Sequence, residues 1–136
     1  RSLVYTAGPL RAYNDLTERD NTHRAEVLGK LCQKSGLAPV VPHSSIFAGV
    51  YGDESMPEER EAGIESTLAI TYFVSKDINA QLWVIANSMS ESGNPELSKG
   101  TAEELSLWIK NRNKLGYKPN VIIKTYENWI KEMEAK

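Results

Sequence analysis

Residues 82–105 read LWVIANSMSESGNPELSKGTAEEL, and this stretch decides the fold. Leu82 to Ala86 is an unbroken apolar run bounded by polar residues, the pattern of a buried strand. Asn87 to Leu97 is rich in Ser, Asn, Gly and Pro and reads as a loop. A helix then starts near Lys99. At 100° per residue Ala102, Leu105, Trp108 and Ile109 share one face, Glu103 points almost opposite to it, and Glu104 lies at its margin. Strand, loop and amphipathic helix make half of a βαβ unit.

The rest of the chain repeats that alternation. Upstream, Leu3 to Ala7 is a short β-rich run stopped by Gly8-Pro9, and Thr17 to Ser35 carries Val27, Leu28, Leu31 and Cys32 at helical spacing, with Gly36 as the stop. Ala38 to Pro42 reads as a second strand that delivers His43, and Pro57 sits at the first turn of a helix begun near Ser55. Downstream come a strand at Val121 to Ile123 and an amphipathic helix from Tyr126 to Met133. Strands separated by helices, with no hairpin signal, pair in parallel through right-handed crossovers. The expectation is an α/β, Rossmann-like (flavodoxin-like) open parallel sheet of four to five strands flanked by helices, as a single domain over residues 1–136.

Composition narrows the function. Charged residues are 25% of the 136 and nearly cancel, at net −2, which gives no electrostatic case for polymeric nucleic acid or an anionic membrane. No apolar run approaches the roughly 20 residues of a membrane span. With a single cysteine, Cys32, and no signal-peptide pattern, the expected compartment is the cytoplasm. A small-molecule ligand is the default, and nothing in the pattern calls for a metal or a cofactor.

Open parallel sheets bind ligands at the carboxyl ends of their strands. Three loops fall there, at residues 8–14, 43–51 and 87–100. Gly8 permits close backbone approach. At the start of the third helix Gly100 removes bulk, and Ser98, Thr101 and unpaired amides form an anion cradle. Glu104, one turn on, is then a nucleophile or base candidate, against the plain reading that acids favour a helix start. His43 is a candidate acid, against the reading of a hydrogen-bonded turn histidine or a contact to phosphate or base. Arg60 and Glu61 read as a solvated helix face, His23 as a surface residue, and Trp83, Trp108, Trp129 and Cys32 as core.

Three motifs carry a family resemblance. Y-T-A-G-P-L-R at 5–11, V-P-H at 41–43 and S-x-G-x-x-x-E-L at 98–105 resemble the nucleoside 2-deoxyribosyltransferase-like superfamily, and P-E-E-R-E-A-G-I with Q-L-W-V-I resembles its uncharacterised phage and bacterial members. The resemblance implies cleavage, by hydrolysis or transfer, of the N-glycosidic bond of a (2′-deoxy)nucleoside or its 5′-monophosphate, with Glu104 as nucleophile. It also implies a phosphate contact from Ser98, a contact from Arg11, a first loop in which Gly8 and Pro9 line the substrate, and a homodimer or larger assembly. The sequence departs from the family where an aspartate helps hold sugar or base. Gln81 stands at that strand start, leaving Asp77 and Glu65 as candidates.

Two other readings compete. G-T-A-E-E at 100–104 resembles the cytokinin-activating nucleoside 5′-monophosphate phosphoribohydrolases, whose preceding P-G-G is replaced here by Leu97-Ser98-Lys99. A nucleotide-binding sensor would keep the cradle without turnover. For the assembly, the helix from Glu58 to Val74 is apolar late in its length at Leu68, Ile70, Tyr72, Phe73 and Val74, which predicts a face shared with a second copy.

Overall fold

A computed structural model of the chain describes residues 1–9, 17–43 and 56–135. In order these form β1 (Leu3–Ala7), α1 (Glu18–Lys34), β2 (Ala38–Val40), α2 (Pro57–Ser75), β3 (Gln81–Ala86), β4 (Ser88–Met89), β5 (Pro95–Glu96), α3 (Lys99–Leu115), β6 (Val121–Thr125) and α4 (Tyr126–Ala135). Four strands make a parallel sheet in the order β2-β1-β3-β6, with Tyr5 beside both Val40 and Leu82, and Leu82 beside Val121. Strand order reverses between β1 and β3, the switch point of a flavodoxin-like open sheet. The expected α/β fold is the observed one.

Alternation along the two central strands builds the layers. Successive strand side chains leave on opposite faces, so Val4, Trp83 and Ile85 pack with Leu28, Leu31 and Cys32 of α1 and Trp129 of α4. On the other face Tyr5, Ala7, Leu82 and Val84 pack with Val74 of α2 and Trp108 of α3. Each fully buried leucine here, such as Leu28 or Leu82, contributes about 1.5–3 kcal/mol.

Local chemistry sets the ends that matter to the site. A reciprocal capping box starts α1: Thr17 Oγ1 accepts from the Asp20 amide, and Asp20 Oδ2 accepts from the Thr17 amide. Those bonds hold the Asp20 carboxyl below its usual range. Farther along α1, a Cβ added at Gly29 would lie 2.9 Å from Val41 Cγ2, so the glycine lets α1 close onto the segment that leads to His43. β2 ends at Val40, two residues before the expected Pro42.

One loop reading is corrected. The segment read as a loop, Asn87 to Leu97, contains a small antiparallel hairpin of β4 and β5, clamped by the Asn87 amide donating to Glu96 O at 2.8 Å and turned at Gly93 with φ 85°. Its strands are two residues each, too short to show alternation. Of the late apolar residues of α2, Val74 is buried and Ile70 packs against the core, whereas Tyr72 and Phe73 are exposed. No helix among the described residues is long and apolar enough to cross a membrane.

Candidate functional site

Glu104 sits deeper than the helical wheel places it. The buried face of α3 is Thr101, Glu104, Trp108, Asn111 and Arg112, with Ala102 exposed, so Glu104 lies at the centre of that face and is only 3% exposed. Helix α3 begins at Lys99, which puts both glutamates in the second turn; the first turn holds no acid. The macrodipole falls off within the first turn and does not account for a carboxylate this far in.

Two side chains from other elements meet that carboxylate. Tyr5, fully buried in the middle of β1, donates its hydroxyl to Glu104 Oε2 at 2.5 Å, with Thr67 O a second acceptor at 3.2 Å. His43 Nε2 stands 3.5 Å from Glu104 Oε1, its side chain 13% exposed. A carboxylate only accepts, so the imidazole nitrogen facing it carries the hydrogen. His43 Nδ1 is buried and has no partner among the described residues.

Above this trio opens a cavity of about 400 Å³ at the β1/β3 switch point. That volume lies in the roughly 300–1,000 Å³ range of small-molecule sites. Gly8, Pro9, His43, Ser98, Gly100, Thr101 and Glu104 all line it, so the candidate nucleophile, acid and cradle residues among the described residues converge on one space. Arg11 and Ser55 lie outside the described residues. Tyr5 does not line the cavity; it reaches Glu104 from below.

The start of α3 shows what the cradle can offer. Ser98 is the N-cap, its Oγ accepting from the Thr101 amide at 3.2 Å and sharing a hydrogen bond with Thr101 Oγ1 at 2.7 Å. Two hydroxyls hold two hydrogens and one is spent between them, which leaves one for a ligand. The amides of Lys99 and Gly100 precede the first helical bond, Ala102 to Ser98 O, and have no helical acceptor. A Cβ at Gly100 would meet no protein atom within 4 Å, so packing does not demand that glycine; one at Gly8 would lie 3.3 Å from Ile85 Cβ, so there packing with β3 favours it.

Other residues fall differently from the sequence reading. Arg60 and Glu103 are half-buried and line the cavity, not solvated outer faces, because α2 and α3 both present their N-terminal halves to it. Asn87, where β3 ends, lines it too. Asp77 and Glu65 are exposed and outside the lining: Asp77 Oδ1 accepts from the Asn79 amide in the turn before β3, at the opposite end of the sheet. Gln81 Oε1 accepts from Trp83 Nε1. Neither proposed helper carboxylate reaches the site. Tyr5 was the residue missed, and its signal was a tyrosine at an inward strand position, where a buried hydroxyl needs a partner.

No group of three or more His, Cys, Asp or Glu gathers for a metal among the described residues. No curated protein and no solved structure matches the chain. Residues 2–111, from β1 to the buried Asn111 of α3, match a family described as a domain of unknown function (DUF7768). With most of its length matched, the chain belongs to the DUF7768 family.

Proposed function

We propose that this protein cleaves the N-glycosidic bond of a (2′-deoxy)nucleoside or its 5′-monophosphate, with Glu104 as the nucleophile. The observation that carries the reading is a buried carboxylate with one oxygen held by Tyr5 and the other beside His43, lining a nucleoside-sized cavity at the sheet's switch point. Such a bond breaks through an oxocarbenium-like state, which an adjacent carboxylate captures as a glycosyl ester. Tyr5 fixes the rotamer of the attacking group without occupying the cavity. Water completes hydrolysis; a second base completes transfer.

The cradle at Ser98, Gly100 and Thr101 supports a ligand with an anionic end. One free hydroxyl hydrogen and two amides at a helix start suit phosphate, each charge-assisted bond contributing about 1.5–3 kcal/mol. The same proposal includes a second copy of this chain against α2, the helix that carries both the cavity wall at Ile64 and Leu68 and the exposed Tyr72 and Phe73 one turn farther on.

Incubation with a mixed panel of nucleosides and 5′-monophosphates, followed by chromatography for free base, tests the activity. Base release that depends on Glu104 supports it. Tight binding of a panel member with no base released points to a sensor instead. Light scattering at micromolar concentration tests the assembly, where a fully active particle of 15.2 kDa would defeat it.

A further inference from the structure

We infer that His43 is the proton donor to the departing base, an inference that rests on the N-glycosidase reading above. Breaking a C–N glycosidic bond leaves negative charge on a base nitrogen, which a positioned acid neutralises in the transition state. Among the described residues Glu104 has two side-chain partners, and of these only His43 lines the cavity. Tyr5 is sealed beneath Glu104 and cannot reach a ligand. Among the other described ionisable side chains lining the cavity, Arg60 and Lys99 are basic groups suited to holding an anion, and Glu96 is exposed and accepts from Ser88. Glu103 is the remaining rival, and the experiment below separates it.

The distances suit the assignment. His43 Nε2 starts 3.5 Å from Glu104 Oε1, so a hydrogen bond of about 2.9 Å from it reaches a base nitrogen beyond the anomeric carbon. The step balances as follows. The step starts from the protonated form of His43, 3.5 Å from the Glu104 carboxylate. Glu104 Oε1 bonds to the anomeric carbon as the C–N bond breaks, and the Nε2 proton passes to the base, leaving neutral imidazole and a neutral ester. A water molecule then attacks the anomeric carbon, its proton passes to Nε2, and the ester bond breaks to restore carboxylate and imidazolium. With both groups neutralised in the intermediate, no unpaired charge is left at the buried Glu104.

The test uses a purine nucleoside that the wild type cleaves and its N7-methyl derivative, whose cationic base departs without a proton. His43→Gln and His43→Ala should lose about 10²–10⁴-fold on the ordinary nucleoside and less than about tenfold on the methylated one. Added imidazole should restore part of the His43→Ala rate, and Glu103→Gln should leave the ratio between the two substrates unchanged. Equal losses on both substrates, with folded variants by circular dichroism, would reduce His43 to a positioning role and overturn the inference. A collapse of that ratio in Glu103→Gln alone would transfer the role to Glu103. A wild type that releases no base from any nucleoside or 5′-monophosphate overturns the underlying reading, which the histidine results cannot do by themselves.

Discussion

On the α1/α4 face of the sheet, Trp83 and Trp129 stack with ring centroids 4.8 Å apart and 19° between planes, among Leu28, Leu31 and Cys32. On the α2/α3 face the aliphatic layer is threaded by polar groups: Tyr5 on Glu104, Thr71 back to Thr67 O, Asn111 on Ser75, and Arg112 fanned over the carbonyls of Ser75, Asp77, Ile78 and Lys118. Buried polar groups cost free energy unless they are satisfied. Arg112 is satisfied by carbonyl oxygens, and burial holds its pKa below the usual guanidinium value. One face therefore supplies cohesion. The other spends part of its cohesion on fixed polar geometry, and the cavity opens at its end.

If that division holds, activity and stability should separate by face. Glu104→Gln should reduce base release by about 10³-fold or more and leave the melting temperature nearly unchanged. The amide keeps the shape and can still accept from Tyr5, and the charge it removes was expensive to bury. Thermal unfolding alongside the base-release assay checks both halves. A variant that melts early, or one that still turns over, would break the comparison at its strongest point.

The opposite result is expected across the sheet. Trp129→Ala removes a ring that is 2% exposed, stacks on Trp83 and donates to Val84 O. It should cost about 3–5 kcal/mol, a fall in melting temperature of roughly 10 °C or more for a chain of this size. Turnover of the protein that remains folded should stay within about threefold of wild type, since no atom of Trp129 lines the cavity.

Tyr5→Phe probes the hinge between the two kinds of packing. The phenyl ring keeps its place in the apolar layer, and Glu104 Oε2 loses its donor. A buried acceptor left unsatisfied costs about 1–3 kcal/mol, so both stability and rate should fall, the rate by about 10–100-fold through a loosened nucleophile. A loss confined to stability would separate Tyr5 from the chemistry.

These residues also mark how far the sequence could be read. The apolar runs at Leu3–Ala7 and Leu82–Ala86 and the stop at Gly36 gave the layers, because each is a local pattern. Glu104 was placed at the margin of α3 because a hydropathy wheel weights Ala102 and ignores Thr101, Asn111 and Arg112, the polar residues that form the true inner face. The Tyr5–Glu104 contact joins residues 99 apart. It depends on the β1–β3 register and on the docking of α3, neither of which a local pattern encodes. The helper carboxylates failed for a related reason: Asp77 precedes β3, so parallel topology puts it at the amino ends of the strands, away from the site.

The smallest effect belongs to Cys32 on the cohesive face. It is fully buried in the apolar cluster with Leu28 and Leu31, and desolvation pushes its thiol up to about 12. Reaction with iodoacetamide needs the thiolate, which at pH 8 is scarce for such a group as well as shielded. The native protein should therefore remain unlabelled by mass spectrometry at pH 8 over hours, and urea should expose a single reactive thiol. Slow labelling at a rate above that of global unfolding would measure local opening of α1 against the sheet. Rapid labelling of folded, active protein would show that the α1/α4 face is not the tightly closed layer its tryptophan stack and buried leucines describe, and the division between the faces would have to be redrawn.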